Sequence, residues 1–134
     1  MDTRYLLDTN ICVFLMRGKY DVDKRIASVG IDNCCISEIT VAELLYGAEC
    51  SSAPESNRRL VNDFCNDMEI IPISGTLSLY ANQKADLRKR GLPIDDFDLL
   101  IACGAMSHDL ILVSDNTKHF DRLPVRLQNW IERK

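Results

Sequence analysis

The chain predicts an α/β fold, a mainly parallel central sheet of four to five strands with helices on both faces. Three observations predict it. Short apolar runs alternate with longer segments of helical period, the pattern of strands joined by helical crossovers. The stretch Leu99 to Met106 is apolar nearly all round, so as a helix it must be buried on most sides. Asp8 and Asp115 each follow an apolar run directly, where ligands gather at the carboxyl ends of parallel strands.

Taken in order, Tyr5 to Leu7 is a short buried strand, and Asp8-Thr9-Asn10 is a turn with helix-capping chemistry. A helix over Ile11 to Met16 ends near Gly18, and a second runs from Asp21 to Val29 and stops at Gly30. Cys34 to Ile36 is the second strand, with Ser37 and Thr40 offering caps for the helix that carries Glu43. Ala53-Pro54-Glu55-Ser56 is a loop and helix start, and that helix continues to about Asn66. Glu69 to Ile73 is the third strand, with Pro72 suited to a strand end or edge. Thr76 to Arg90 has helical period and stops at Gly91 and Pro93. A loop with Asp95, Asp96 and Asp98 leads into a helix reaching His108, with Asp98 placed to cap it. Leu110 to Val113 is the fourth strand, and Val125 to Leu127 a short fifth before Trp130.

A length of 134 residues suits one domain over residues 1–134, with no repeat, low-complexity tract or long linker. No apolar stretch approaches the roughly 18 residues of a membrane span. The start, Met1-Asp2-Thr3-Arg4-Tyr5, lacks the basic and apolar regions of a secretory signal, so a cytoplasmic location with no membrane partner is expected. Of six cysteines, Cys12, Cys34, Cys35, Cys65 and Cys103 lie in or beside apolar segments, and no Cys-x-x-Cys pair exists. Buried thiols are expected, and a structural zinc is not. The net charge of −4 and pI near 5.1 do not advertise nucleic-acid binding. The basic residues are clustered, however, with Lys84, Arg88, Lys89 and Arg90 at one helix end and Arg58-Arg59 on another helix.

Four acidic stations carry the chemistry: Asp8, Glu43, Asp98 and the Asp115-Asn116 pair. Each stands beside an apolar run from which it can reach one end of the sheet. Glu43 falls next to the stripe Val41, Leu44, Leu45 and Ala48 on its helix. Converging carboxylates repel by roughly 4 kcal/mol per pair at about 4 Å and an effective dielectric of 20. A hard divalent cation with oxygen ligands is the natural counterion. Either Asp115 or Asn116 can point inward, while Ser114 and Thr117 offer hydroxyls for water or phosphate.

Four blocks, in order, resemble those of the PIN-domain ribonucleases, specifically the VapC toxins of type II toxin–antitoxin modules. They are Leu6-Leu7-Asp8-Thr9-Asn10, then Ile36-Ser37 with Thr40-Val41-Ala42-Glu43-Leu44-Leu45-Tyr46-Gly47-Ala48. Phe97-Asp98-Leu99-Leu100-Ile101-Ala102 is the third, and Leu112-Val113-Ser114-Asp115-Asn116-Thr117-Lys118-His119-Phe120 the fourth, with Trp130 near the end. The resemblance covers nearly the whole chain and implies a PIN-like fold. It matches Asp8, Glu43 and Asp98 to the family's three core acidic positions. The fourth block carries Ser114 where many relatives have Thr, and the family's fourth acid falls nearer Asn116 than Asp115.

What the resemblance implies is a metal-dependent endoribonuclease using Mg²⁺ or Mn²⁺ and leaving 5′-phosphate and 3′-hydroxyl ends. Asp8, Glu43, Asp98 and Asp115 are the metal-ligand candidates, with Asn116 as a further catalytic candidate. Thr9, Asn10, Ser114, Arg88 and Lys118 are the candidates for supporting the site and contacting RNA. Partners implied are RNA, a cognate VapB-type antitoxin that silences the toxin across its active groove, and a second copy in a homodimer. Two other classes compete. An aspartate phosphoacceptor domain wants a lysine after a late strand, where this chain has Gln128. A catalytically silent PIN-like binding module would bind RNA or protein without cutting.

Overall fold

The structure, a computed structural model, describes residues 3–133; Met1, Asp2 and Lys134, which the one-domain expectation includes, lie outside the described residues. Five strands, β1 (Tyr5–Leu7), β2 (Cys34–Ser37), β3 (Glu69–Ile71), β4 (Ile111–Val113) and β5 (Leu127–Gln128), form one sheet. Their order is β3-β2-β1-β4-β5, and every neighbouring pair is parallel. Around it lie α1 (Thr9–Met16), α2 (Val22–Val29), α3 (Glu38–Glu49), α4 (Pro54–Asn66), α5 (Leu77–Arg90), α6 (Asp96–Ser107) and α7 (Thr117–Phe120).

Successive strand residues point to opposite faces, and the sequence uses this to build two cores. Leu6, Cys35, Ile71 and Leu112 pack on one face with Leu87 of α5 and Leu99, Ile101, Ala102 and Ala105 of α6. Leu7, Cys34, Ile36 and Val113 pack on the other with residues of α1 to α4 and with Trp130. Leu99, Ile101, Ala102, Cys103 and Ala105 are fully buried, so the apolar stretch is the buried helix its composition requires. Truncating one such side chain, Leu6 for example, would cost about 2–5 kcal/mol. Trp130 is buried, its ring 5.5 Å from that of Tyr5 on β1 and under the Arg25 guanidinium.

Element ends differ from expectation where side-chain capping decides them. Asp8 caps α1 by accepting the Thr9 amide, so the helix starts two residues early. The cap of α6 is Asp95, which accepts the Phe97 amide, and this puts Asp98 inside the first turn instead of at the cap. Ser37 alone caps α3, and Thr40 lies fully buried within it. β3 stops at Ile71, before Pro72, which has no amide to donate. β5 is shifted to Leu127–Gln128 by its register with Leu112 and Val113. The short α7 was not legible in the sequence. All six cysteines are free thiols, five buried and Cys50 exposed. Among the described residues no helix is long and apolar enough to cross a membrane.

Candidate active site

The chain adds β2 and β3 on one side of β1, and β4 and β5 on the other. That reversal of direction opens a crevice at the carboxyl ends of β1 and β4, the usual ligand position on such a sheet. Asp8 stands there. Its amide donates to the Val113 carbonyl at 2.9 Å, tying the end of β1 to the end of β4. The side chain is only 4% exposed. Oδ1 accepts from the Thr9 amide and Oδ2 from the Ser114 hydroxyl, both at 2.8 Å. Burial raises its pKa, and the Ser114 hydroxyl, the Thr9 amide and the nearby His119 ring oppose the rise. Ser114 is itself fully buried, and its Oγ also accepts the Asn116 amide at 3.0 Å.

Glu43 reaches the crevice from α3, whose apolar side is fixed on the core by Leu44 and Ala48. A chain of hydroxyls positions it. Thr9 Oγ1 donates to Glu43 Oε1 at 2.7 Å and lies 3.0 Å from Thr40 Oγ1, which is therefore placed to donate to it.

Asp98 enters from the first turn of α6 and is half-buried. Its pKa is pushed up to about 6, first by burial and then by the charges of Asp8, Asp95 and Glu43. Among the described residues its carboxylate accepts no hydrogen bond. The nearest cationic candidate is His119, with Nδ1 3.6 Å from Asp98 Oδ2. Asp8, Glu43 and Asp98, distant in sequence, are thus brought to one crevice.

Sequence reasoning singled out Asp115 and Asn116 but not His119. Asp115 is committed elsewhere, to Arg133 and Asn129. The geometry is local: Ser114 turns toward Asp8, and the next side chain turns toward the C-terminal segment. Asn116 is exposed and places its Nδ2 3.0 Å from His119 Nδ1. The sequence signal for His119 was its place three residues after Asn116, which becomes one face only because α7 forms. Asn10 is exposed on α1, while Arg88 and Lys118 are exposed on α5 and α7. Arg88 borders a hollow with Ile94 and Leu99, next to the start of α6.

The oxygen donors suit Mg²⁺ or Mn²⁺ in kind. Among the described residues, however, no three His, Cys, Asp or Glu side chains are grouped as ligands of one ion. Glu43 is drawn toward Thr9, which leaves Asp8 and Asp98 as the pair open to direct contact.

Fold and crevice together define a PIN domain, and the family model for the PIN domain matches residues 5–125. The chain is 34% identical to a tRNA(fMet)-specific endonuclease VapC of Salmonella typhimurium, over 95% of this chain and 98% of that one. It is 37% identical to a ribonuclease VapC2 of Haemophilus influenzae, over 96% and 98%. It also superposes on a chain in the crystal structure of DNA-bound VapBC from Salmonella typhimurium with a TM-score of 0.88, at 34% identity and covering 96% of this chain and 98% of that one. The chain therefore belongs to the PIN-domain family, among the VapC toxin ribonucleases.

Proposed function

We propose that this protein is a metal-dependent endoribonuclease, the toxin of a type II toxin–antitoxin module, hydrolysing RNA phosphodiester bonds in the crevice of Asp8, Glu43 and Asp98. The observation that carries the reading is Asp98: a half-buried carboxylate beside the charges of Asp8 and Glu43 that, among the described residues, accepts no hydrogen bond. Such a group needs a cation. Both Asp8 oxygens keep a lone pair beyond the hydrogen bonds they accept, so Asp8 and Asp98 would hold Mg²⁺ or Mn²⁺ with water completing the shell, as magnesium prefers. When bound, the ion would acidify a water for in-line attack and stabilise charge on the phosphate.

The chain's own residues do the rest. Thr9 fixes Oε1 of Glu43, leaving Oε2 to orient the attacking water. Ser114 holds Asp8 in place across the sheet. Arg88 and Lys118, both exposed, would contact flanking RNA phosphates, a contribution that weakens with salt. Because a relative is seen as a VapBC complex, a VapB-type antitoxin is the partner proposed here, presenting basic groups to the acidic crevice. Homodimerisation and a cytoplasmic site of action belong to the same reading.

The test is cleavage of RNA by wild type, Asp8→Asn and Asp98→Asn, with the product ends sequenced. Wild type should require Mg²⁺ or Mn²⁺ and leave 5′-phosphates, and both variants should be folded and inactive. Equal cleavage by all three proteins would remove this site from the reaction.

A further inference from the structure

We propose that a basic hollow between the end of α5 and the loop after α7, built by Lys89, Arg90 and Arg122, is a second RNA-backbone site that holds the substrate strand away from the cut. The inference rests on the RNA-cleaving reading above and extends it beyond the crevice and its rim.

These three cations line one surface hollow together with Asn82, Gln83 and Asp86. They are not consumed as helix caps. The last carbonyls of α5 are met by backbone amides, Gly91 donating to Arg88 at 3.1 Å and Leu92 to Leu87 at 3.0 Å. Two of the guanidiniums are fixed by backbone carbonyls. Arg90 donates from Nη2 to the Arg122 carbonyl at 2.8 Å, and Arg122 from Nη1 to the Pro93 carbonyl at 2.7 Å. A carbonyl fixes a guanidinium without cancelling its charge. Asp86, the acid in the lining, meets Arg90 Nε at 2.9 Å, so the hollow keeps an excess of positive charge. Lys89 is exposed and, among the described residues, in no ion pair. That excess stands on a chain whose net charge is −4, so it is a local concentration and not a property of the composition.

The hollow is tied to the crevice at two points. Arg122 holds Pro93, which precedes Asp98 closely enough in sequence to lie within about 18 Å of it. Arg122 also follows α7, whose His119 stands 3.6 Å from Asp98. A strand cut in the crevice therefore reaches the hollow within a few nucleotides. The acidic crevice repels the strand it must bind, so attraction has to come from cations outside it. Phosphate is the anion that such a strand repeats, and guanidinium N–H groups left over on Arg90 and Arg122 suit its oxygens.

The experiment measures kcat and KM with Mn²⁺ on one long RNA over a range of salt. It compares wild type, the triple variant Lys89→Gln/Arg90→Gln/Arg122→Gln, Lys89→Glu and a control, Arg59→Gln on α4. Melting temperature and binding of poly-glutamate are read for each protein. The triple variant should raise KM roughly tenfold or more with kcat kept, and its slope of log KM against log salt should be lower by about 2, at about 0.7 per single-strand phosphate contact. The Lys89 side chain makes no hydrogen bond among the described residues, so Lys89→Glu should raise KM with the melting temperature unchanged. Arg59→Gln, exposed on another helix, should change neither. Wild-type KM and salt slope in Lys89→Glu, an equal rise in Arg59→Gln, or a fall in kcat at unchanged KM would each overturn the assignment. So would a loss of poly-glutamate binding with the KM for RNA kept, which would give the hollow to an acidic protein. Failure of wild type to cleave would instead overturn the ribonuclease reading and the inference with it.

Discussion

Arg133 grips Asp115 with both guanidinium nitrogens, Nη1 to Oδ1 at 2.7 Å and Nη2 to Oδ2 at 2.5 Å. The Asn129 amide adds a third contact, and the Arg133 guanidinium lies over the Tyr20 ring. The C-terminal segment is thereby latched to the loop after β4. Arg133 holds the Asp115 pKa below the usual carboxylate range, the reverse of what happens at Asp98. Two aspartates at neighbouring stations thus have opposite environments.

That contrast predicts their metal response. Asp115→Asn should change Mn²⁺ affinity less than about twofold, whereas Asp98→Asn should lower it more than about tenfold, about 1.4 kcal/mol. Arg133 is 55% exposed and solvent screens its pair with Asp115, so Arg133→Ala should lower stability only slightly. Calorimetry and urea denaturation check both, and the opposite ranking would return Asp115 to the ligand set.

Asp98 also sets a pH dependence. Its folded-state pKa of about 6 lies above the ordinary value of 3.8, so the folded protein holds this proton more tightly than the unfolded chain. Between about pH 4 and 6 the stability of the metal-free protein should therefore fall as pH rises, and Asp98→Asn should remove that part of the decline. Mn²⁺ competes with the same proton, so its affinity should climb through pH 6 and level off above it. Denaturation at pH 4.5 and 7, with and without Mn²⁺, reads both effects. An Asn variant with an unchanged pH profile would show that Asp98 is not the group responsible.

The sheet was legible because its strands are apolar runs next to turn residues, and period two decides which side chain faces which helix layer. Leu6 and Leu7 part to opposite cores for that reason alone. The three acids were legible because each abuts a segment that must be buried. Illegible were the choices made by local geometry: whether Asp95 or Asp98 caps α6, and whether Asp115 or Asn116 turns inward. Each depends on a single rotation of the backbone that composition does not encode. Arg133 and His119 escaped for a related reason, since their partners lie in segments whose approach only the folded chain creates.

Cysteine accessibility gives a test of packing independent of catalysis. Burial pushes the thiols of Cys34 and Cys103 up to about 11 and that of Cys35 to about 12, and Cys12 is raised and fully buried. Only Cys50 is exposed. A thiol reagent at pH 8 should therefore label one cysteine quickly in the native protein and the other five only on unfolding. Rapid labelling of Cys35, on β2 between β1 and β3, would contradict the strand order.

The Thr9–Thr40 link makes a sharper demand on the site, because it joins Glu43 to a buried hydroxyl. Thr9→Val keeps the volume but leaves the Thr40 hydroxyl, fully buried, without its partner, at a cost of about 1–2 kcal/mol. It also frees Glu43 from the donor that fixes Oε1. Adding Thr40→Val removes the stranded hydroxyl, so stability should return toward wild type while cleavage does not. Urea melts and kcat for the two single variants and the double variant separate these effects. If the double variant regained both stability and rate, the hydroxyls would serve packing alone and Glu43 would need no support from Thr9.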